Sequence, residues 1–572
     1  MSYVPINGLR MLAVETSILL ATTVLAFLFL RFFHGTVPRP RWLSAILAHN
    51  WRAVVLVIAV ALAGRALLLP RIGVPYPRID DEYSYLLMGD TFAHGRLANP
   101  TPPAWQHFET FHVNLIPTYH SKYPISQGVA LAIGEVIFHQ PWVGIYLSTA
   151  ILCGVICWTL QAFVPPGWAL LGGLFAVFRL ALFSYWMNSY WGGSVAAVAG
   201  ALALGTVVRL FQPERSQRDR LLLTCLFAFS LLVLANSRPY EGFAFSVPLV
   251  VYFAYKLTGG IRSHELQLRS TLLPFLAIGV LGAAWMGFYN KSTTGNPLLL
   301  PHLLNERVYS PLPLFFWQKP KPDLTFRDPV FEKFYEVTRE EYGYEETKTL
   351  AGVISTEAIR LGTNWFFYCG LALSFPAIVG LLSLWRRESG RLAILATGSM
   401  ALALALCTYT MFHYAAPATV TVYLCAVEGL RYLWQQRSTG EQAFVLAVCF
   451  TVLITSVTRE TGSAAVNSVF NFPDNRRSIE HQLEDKPGKQ LVLVSYDLAH
   501  HYPGEELVHN WADFGAQKIL WARSKGAGND LDLCDAYSDR TFWSVTSNDL
   551  TYSLKPLDLC RNRGQSSTSS DR

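Results

Sequence analysis

The chain has 572 residues, 52% of them hydrophobic and only 15% charged, with a mean hydropathy of +0.28. A soluble protein carries about 25% charge, so an ordinary soluble domain is excluded. The net charge of +6 resides in Arg-rich loops and is too modest for a nucleic-acid surface.

Apolar runs extend from residue 10 to residue 457 and predict a polytopic α-helical membrane protein. Segment 10–33 is too long for a signal-peptide core and no cleavage site follows it, so it reads as a retained helix. Further spans are predicted at 52–70, 141–163, 167–187, 192–210, 221–236, 242–258, 271–289, 360–384, 391–411, 415–433 and 441–457. That makes about twelve spans.

Short loops rich in Arg and Lys set the orientation. Arg31, Arg39, Arg41 and Arg52 form one cluster, and Arg209, Arg215, Arg218 and Arg220 another. Lys256, Arg262 and Arg269 follow, then Arg386, Arg387 and Arg391, then Arg431 and Arg437. Counting spans places every cluster on one face, the cytoplasmic one; Arg10 alone sits on the wrong side. The outer face then receives 71–140, 188–192, 236–242, 290–359, 412–415 and everything after 458.

Within the outer segments, 81–95 is predicted as a helix along the membrane surface. The apolar stretch 125–139 is short for a span and reads as a re-entrant or interfacial helix. Segment 290–359, rich in Pro, Tyr and charge, reads as a loop covering a site. From about 488 the tail resembles a small α/β domain, with strands at Leu491–Ser495, Lys518–Ala522 and Arg540–Val545 and a helix at 505–516. Ser-rich 564–572 reads as disordered. The predicted organisation is therefore 1–51 (an extra helix and cytoplasmic loop), 52–457 (the membrane catalytic unit), 458–563 (the outer α/β domain) and 564–572 (the tail). Cys534 and Cys560, each in an Asp-Leu-Cys context, either form a disulfide outside the cytoplasm or stay free thiols. Cys153 and Cys157 read as small apolar residues.

The chemistry-bearing candidates cluster on the outer face. Asp80, Asp81 and Glu82 follow directly on a span, where a carboxylate cluster is costly to desolvate and marks chemistry or transport. Asp81 can take a proton from a hydroxyl if burial and like charges raise its pKa; Asp80 suits a helix N-cap. Lys122, in His120-Ser121-Lys122-Tyr123-Pro124, and Arg238, in the short link Asn236-Ser237-Arg238-Pro239-Tyr240-Glu241, can each bind a phosphate; Arg238 can instead pair with Glu241. Arg179, inside a span, is either functional, snorkelling or paired with Glu135. The aromatic patch Tyr185 to Trp191 reads as an interfacial belt in which Asn188 can hydrogen-bond a sugar. His413 and Tyr414 stand at a tight outer turn. No Gly-rich nucleotide loop, HExxH or Ser elbow occurs. An outward-facing site sees no cytoplasmic nucleotide, so an activated substrate must arrive on a lipid carrier.

These features resemble the integral-membrane GT-C glycosyltransferases, especially glycosyltransferase family 39, the protein mannosyltransferase and lipid A aminoarabinose transferase type, with an Rgt-like domain. Asp81-Glu82 is similar to that family's Asp-Glu pair in the first outer loop, and Lys122-Tyr123-Pro124 to its Lys-Pro-Pro stretch, with Tyr in place of the first Pro. The resemblance covers about residues 50 to 435. It implies a polyprenyl-phosphate sugar donor and a hydroxyl acceptor on a lipid, glycan or protein, in a bacterial inner membrane with the site facing the periplasm. Inverting transfer is expected, with Asp81 as base and Glu82 orienting the acceptor or sharing the proton. Lys122 and Arg238 would meet the phosphate, and Tyr85, His120, Asn188 and Glu241 would contact substrate. No cofactor and no obligatory metal are expected. The competing classes are a transporter or flippase of a lipid-linked or anionic solute, using Asp81 and Arg179, and a non-catalytic scaffold.

Overall fold

The computed structural model describes residues 4–32, 41–213, 215–262, 266–321, 324–466, 475–497, 506–526, 528–548 and 551–560. The Ser-rich end at 564–572 lies outside them. Every predicted span contains a helix, because in hydrocarbon a backbone must satisfy its own hydrogen bonds. The expected count of spans is refined: among the described residues six helices are long and apolar enough to cross a membrane, seven if one bent pair counts as a single span. The bent pair replaces the predicted continuous span 360–384. Leu350–Cys369 and Ser374–Leu384 meet at 97°. The break falls at Gly370, whose φ of 58° suits a residue without a side chain. A Cβ there would also lie 2.6 Å from Glu15 Oε1 and 2.9 Å from Arg179 Nη1. The predicted span 167–187 is likewise interrupted, as Pro166–Ala176 runs into a π-helical turn, Val177–Ala181.

Helices cross closely where small residues allow it. Ser374–Leu384 lies on Thr419–Gln435 with Gly380 facing the Cys425 carbonyl, which an added Cβ would meet at 1.8 Å.

The segments assigned to one side by charge do meet one another. The surface helix Asp80–Ala93 packs on the second short helix, Ile125–Phe138. The Val113–Asn114 and His120–Ser121 ribbon is joined to the next outer segment by Asn305 Nδ2 donating to the Val113 carbonyl at 3.1 Å.

The tail forms a four-stranded sheet, ordered Ile519–Arg523, Lys489–Tyr496, Arg540–Ser547, Tyr552–Pro556, with only the last pairing antiparallel. The fourth strand and the helix Asn475–Glu484 were not legible in the sequence. The predicted helix at 505–516 is not one: described residues 506–513 form an irregular strap and 514–516 a turn. Strand alternation gives the sheet two apolar faces. Leu491, Leu493, Leu520 and Phe542 pack with Leu87 of the surface helix and Phe108. Val492, Val494, Trp521 and Val545 pack with Ile479 and Leu483 of the Asn475–Glu484 helix. Cys534 and Cys560 form a disulfide with Cα atoms 5.7 Å apart.

Candidate active site

Three consecutive acids open the surface helix. Side chains on a helix fan out by about 100° per residue, so they face three different environments. Ile79, not Asp80, is the N-cap. Asp80 is the first helical residue, and its Oδ1 accepts from His509 Nε2 at 3.1 Å. Glu82 is buried, with Oε2 accepting from the Arg78 amide at 2.8 Å and Oε1 from the Tyr190 amide at 2.9 Å. Burial pushes Glu82 up to about 7. Both of its oxygens are engaged by backbone, which makes it a brace of the helix start, not the acceptor-orienting group the sequence suggested.

Asp81 differs from both neighbours. Its side chain is 28% exposed. Oδ1 accepts a hydrogen bond from the Tyr123 hydroxyl, and Oδ2 lies 3.7 Å from His112 Nε2. Burial raises its pKa above the ordinary carboxylate value, while the Tyr123 hydrogen bond, Lys122 and Arg238 hold the rise back.

Lys122 and Arg238 therefore lie within electrostatic reach of the same carboxylate. Lys122 Nζ stands 5.3 Å from the Tyr123 ring centroid, and the Arg238 guanidinium 4.3 Å from that of Tyr414. Burial lowers the Lys122 pKa, with Asp81, Glu306 and Asp80 acting to raise it. Among the described residues no carboxylate comes within ion-pair distance of either cation; the expected Arg238–Glu241 pair is a neighbouring charge and no more. Tyr85 stacks on Tyr123 at 4.3 Å, and burial pushes its hydroxyl up to about 12. His302, whose pKa burial pushes down to about 4, and Glu306 approach Lys122 from the helix Pro301–Tyr309.

Other predicted residues lie elsewhere in the network. His120 is buried between Asn114 Nδ2 at 3.1 Å and the Thr118 carbonyl at 2.9 Å, where it supports the ribbon. Asn188 spends its amide inside the protein, with Oδ1 accepting from Arg65 Nε at 2.9 Å and Nδ2 donating to the Ser184 carbonyl at 2.8 Å. It ties the Tyr185 to Trp191 segment to Arg65. Arg179 neither snorkels nor pairs with Glu135. It donates to the carbonyls of Phe366 and Phe367 at 3.0 and 2.9 Å, in the last turn before the helix break, where the Phe366 carbonyl also accepts the Gly370 amide at 2.8 Å. His413 hydrogen-bonds Tyr185 at 3.1 Å.

Sequence reasoning missed Tyr123, His112, His302, Glu306 and His509 as neighbours of the acids. Tyr123 was visible only as a departure from the Lys-Pro-Pro pattern. The departure has a physical function here, since a Pro at that position would leave Asp81 Oδ1 without its donor. His112 adopts φ 62°, a left-handed backbone. That turn lets its carbonyl accept from the Lys122 amide at 3.0 Å and the Ser84 hydroxyl at 2.6 Å.

An apolar groove begins close by. Ile125 and Tyr289 line both a small cavity bounded by Pro124, Asn236, Pro239 and His302 and a larger groove leading away along Val129, Ile133 and Val136. The larger groove holds about 890 Å³, including the solvent at its mouth. Among the described residues no group of three or more His, Cys, Asp or Glu is arranged to hold a metal ion.

No family model matches the chain, and no curated protein matches it in sequence. Among solved structures it is similar to ArnT from Cupriavidus metallidurans in the apo state, with TM-score 0.49 and 12% identity over 86% of this chain and 92% of that one. The same enzyme bound to undecaprenyl phosphate gives TM-score 0.47 and 12% identity over 86% and 93%. The archaeal oligosaccharyltransferase AglB from Archaeoglobus fulgidus, in complex with an inhibitory peptide and a dolichol-phosphate, gives TM-score 0.49 and 12% identity over 87% and 69%.

Proposed function

We infer that this chain is a membrane glycosyltransferase that moves a sugar from a polyprenyl-phosphate donor to a hydroxyl of a lipid, glycan or protein on the periplasmic face. The observation that carries this reading is the placement of Asp81. It is a partly open carboxylate with a raised pKa, near two half-buried cations that have no carboxylate within ion-pair distance among the described residues.

The chemistry follows from that arrangement. Ionised Asp81 takes the proton of the acceptor hydroxyl as its oxygen attacks the anomeric carbon. The bond from that carbon to the donor phosphate breaks, and the polyprenyl phosphate leaves as an anion beside Lys122 and Arg238. Attack from the face opposite the departing phosphate inverts the anomeric centre. Arg238 offers a planar fork to two phosphate oxygens and Lys122 a point charge. The apolar groove starting at Ile125 suits an isoprenoid chain whose phosphate lies at Lys122. Surface helix and groove hold both reactants at the interface, so positioning supplies part of the acceleration. A flippase would need Arg179 to meet its solute, but that side chain is engaged by two carbonyls.

The test is Asp81→Asn, read by mass spectrometry of surface glycolipids and glycoproteins. The variant should reproduce the glycan loss of a deletion strain, a fall of about 10²- to 10⁴-fold in transfer, while the purified protein still binds undecaprenyl phosphate. A variant that transfers at the parental rate defeats the assignment. Loss of vesicle flipping with no covalent product in the parent establishes the transporter instead.

A further inference from the structure

We propose that the C-terminal sheet region is a positioning element for the reaction, and that His509 acts through Asp80 to fix the Asp81 carboxylate. This rests on the reading of Asp81 as the base.

The first turn of a helix has no intrahelical partners for its amides and frays unless it is held from outside. Here it is held on both sides of the reactive residue. Glu82 ties it to the membrane bundle through Tyr190. Asp80 ties it to the tail through His509, more than 400 residues away in sequence. Both partners of that second tie are buried.

His509 is itself locked. Nδ1 lies 3.4 Å from Thr110 Oγ1, a hydroxyl able to donate to it, so the tautomer with its proton on Nε2 suits both this contact and the one to Asp80. Its ring stacks on Tyr83 with centroids 4.1 Å apart and planes inclined by 7°. Its carbonyl accepts from Arg476 at 3.0 Å, and Arg476 in turn stands 5.0 Å from the Tyr83 ring.

The strap carrying His509 continues along the surface helix. The Ala512 amide donates to Asp90 Oδ2 at 2.7 Å, one turn from the helix end, and the Asn510 carbonyl accepts from the Tyr119 hydroxyl at 2.7 Å. At its other end Glu506 is paired with Arg523, which also stands 3.5 Å from Asp328 of the outer segment. The sheet therefore clamps the surface helix at both ends and joins it to the loops that cover the site. A domain serving only to recruit acceptor has no need to spend a buried His–Asp hydrogen bond one residue from the reacting carboxylate.

The test uses the full-length protein in detergent and in the deletion strain. His509→Phe keeps an aromatic ring on Tyr83 and removes the donor; His509→Gln keeps a side-chain N–H. His509→Phe and Asp80→Ala should each lower transfer about 10- to 100-fold, the scale of an ångström of misplacement. They should leave undecaprenyl phosphate binding intact and raise deuterium uptake in 80–93. His509→Gln should recover most of the rate, and the double variant should be no worse than either single one. Parental transfer by His509→Phe, beside an inactive Asp81→Asn, overturns the positioning role. Independent, additive losses overturn it as well. Parental transfer by Asp81→Asn instead sinks the catalytic reading and leaves the deuterium uptake of His509→Phe to report the clamp alone.

Discussion

Two carboxylates at the two ends of the bundle show how differently a buried acid can be used. Glu428, in the helix Thr419–Gln435, is 0% exposed and saturated. Its Oε1 accepts from Ser383 at 2.8 Å and Arg387 at 2.6 Å, and its Oε2 from Arg431 at 2.8 Å. Asp81 has a single donor on one oxygen and an open approach to the other. The arginines beside Glu428 are consumed by it, whereas Lys122 and Arg238 reach Asp81 only through space. A saturated carboxylate joins helices. An unsaturated one beside unspent cations costs the fold something and is available to a substrate.

Removing each acid separates these uses. Glu428→Ala should destabilise by about 3 kcal/mol, because it strands two arginines, and by no more because Arg387 is 39% exposed and can rehydrate. The measurement is the midpoint of thermal unfolding in detergent. Asp81→Asn should leave that midpoint unchanged or raise it. The folded-state pKa of Asp81 is raised, so the charge it carries at neutral pH opposes folding, and a neutral amide relieves that cost. A stability loss at Asp81 equal to that at Glu428 would abolish the distinction.

A smaller effect comes from the unspent cations. Arg238→Lys keeps the charge and loses the fork and the flat packing on Tyr414. Binding of undecaprenyl phosphate should weaken about 10-fold, one hydrogen bond's worth to a charged group. Arg431→Lys, at the saturated site, should leave that binding untouched. Equal binding by Arg238→Lys and parent would remove Arg238 from the phosphate site.

The span pattern, the two short surface helices and the strands of the tail were legible in the sequence because each follows one local rule, hydropathy length or two-residue alternation. Asp81, Lys122 and Arg238 stood out too, since charge at the lip of a span is conspicuous, and the fold brings both cations within electrostatic reach of Asp81. What stayed hidden was long-range. Nothing local to Asn188 shows that Arg65 claims its oxygen, and nothing near Asp80 points to His509. The segment 505–516 was read as helix. It is not one among its described residues, because many of its polar groups bond outward, to Asp90, Tyr119 and Arg476, and its internal bonds, such as His509 amide to Leu507 carbonyl, are not those of a helix. Glu82 was read as chemistry from its neighbour's position, although a helix turn aims the two side chains apart.

The finest discrimination between the two carboxylates lies in Tyr123. Its hydroxyl donates to Asp81 and so favours the ionised form. Tyr123→Phe removes that donor, and burial then pushes the Asp81 pKa further up. Because the base must be ionised, transfer falls as pH drops through this value, so the acid limb of the rate profile should move to higher pH, by about one unit for a lost charge-assisted hydrogen bond. The plateau at alkaline pH should stay within a few-fold of the parent. His112, 3.7 Å away, has its pKa pushed well below the ordinary imidazole value by burial and by Lys122. Lys122 and Arg238 remain and bound the size of the shift. A limb that stays fixed, or moves to lower pH, would mean that the titrating base is some other group and that Tyr123 merely packs against Tyr85.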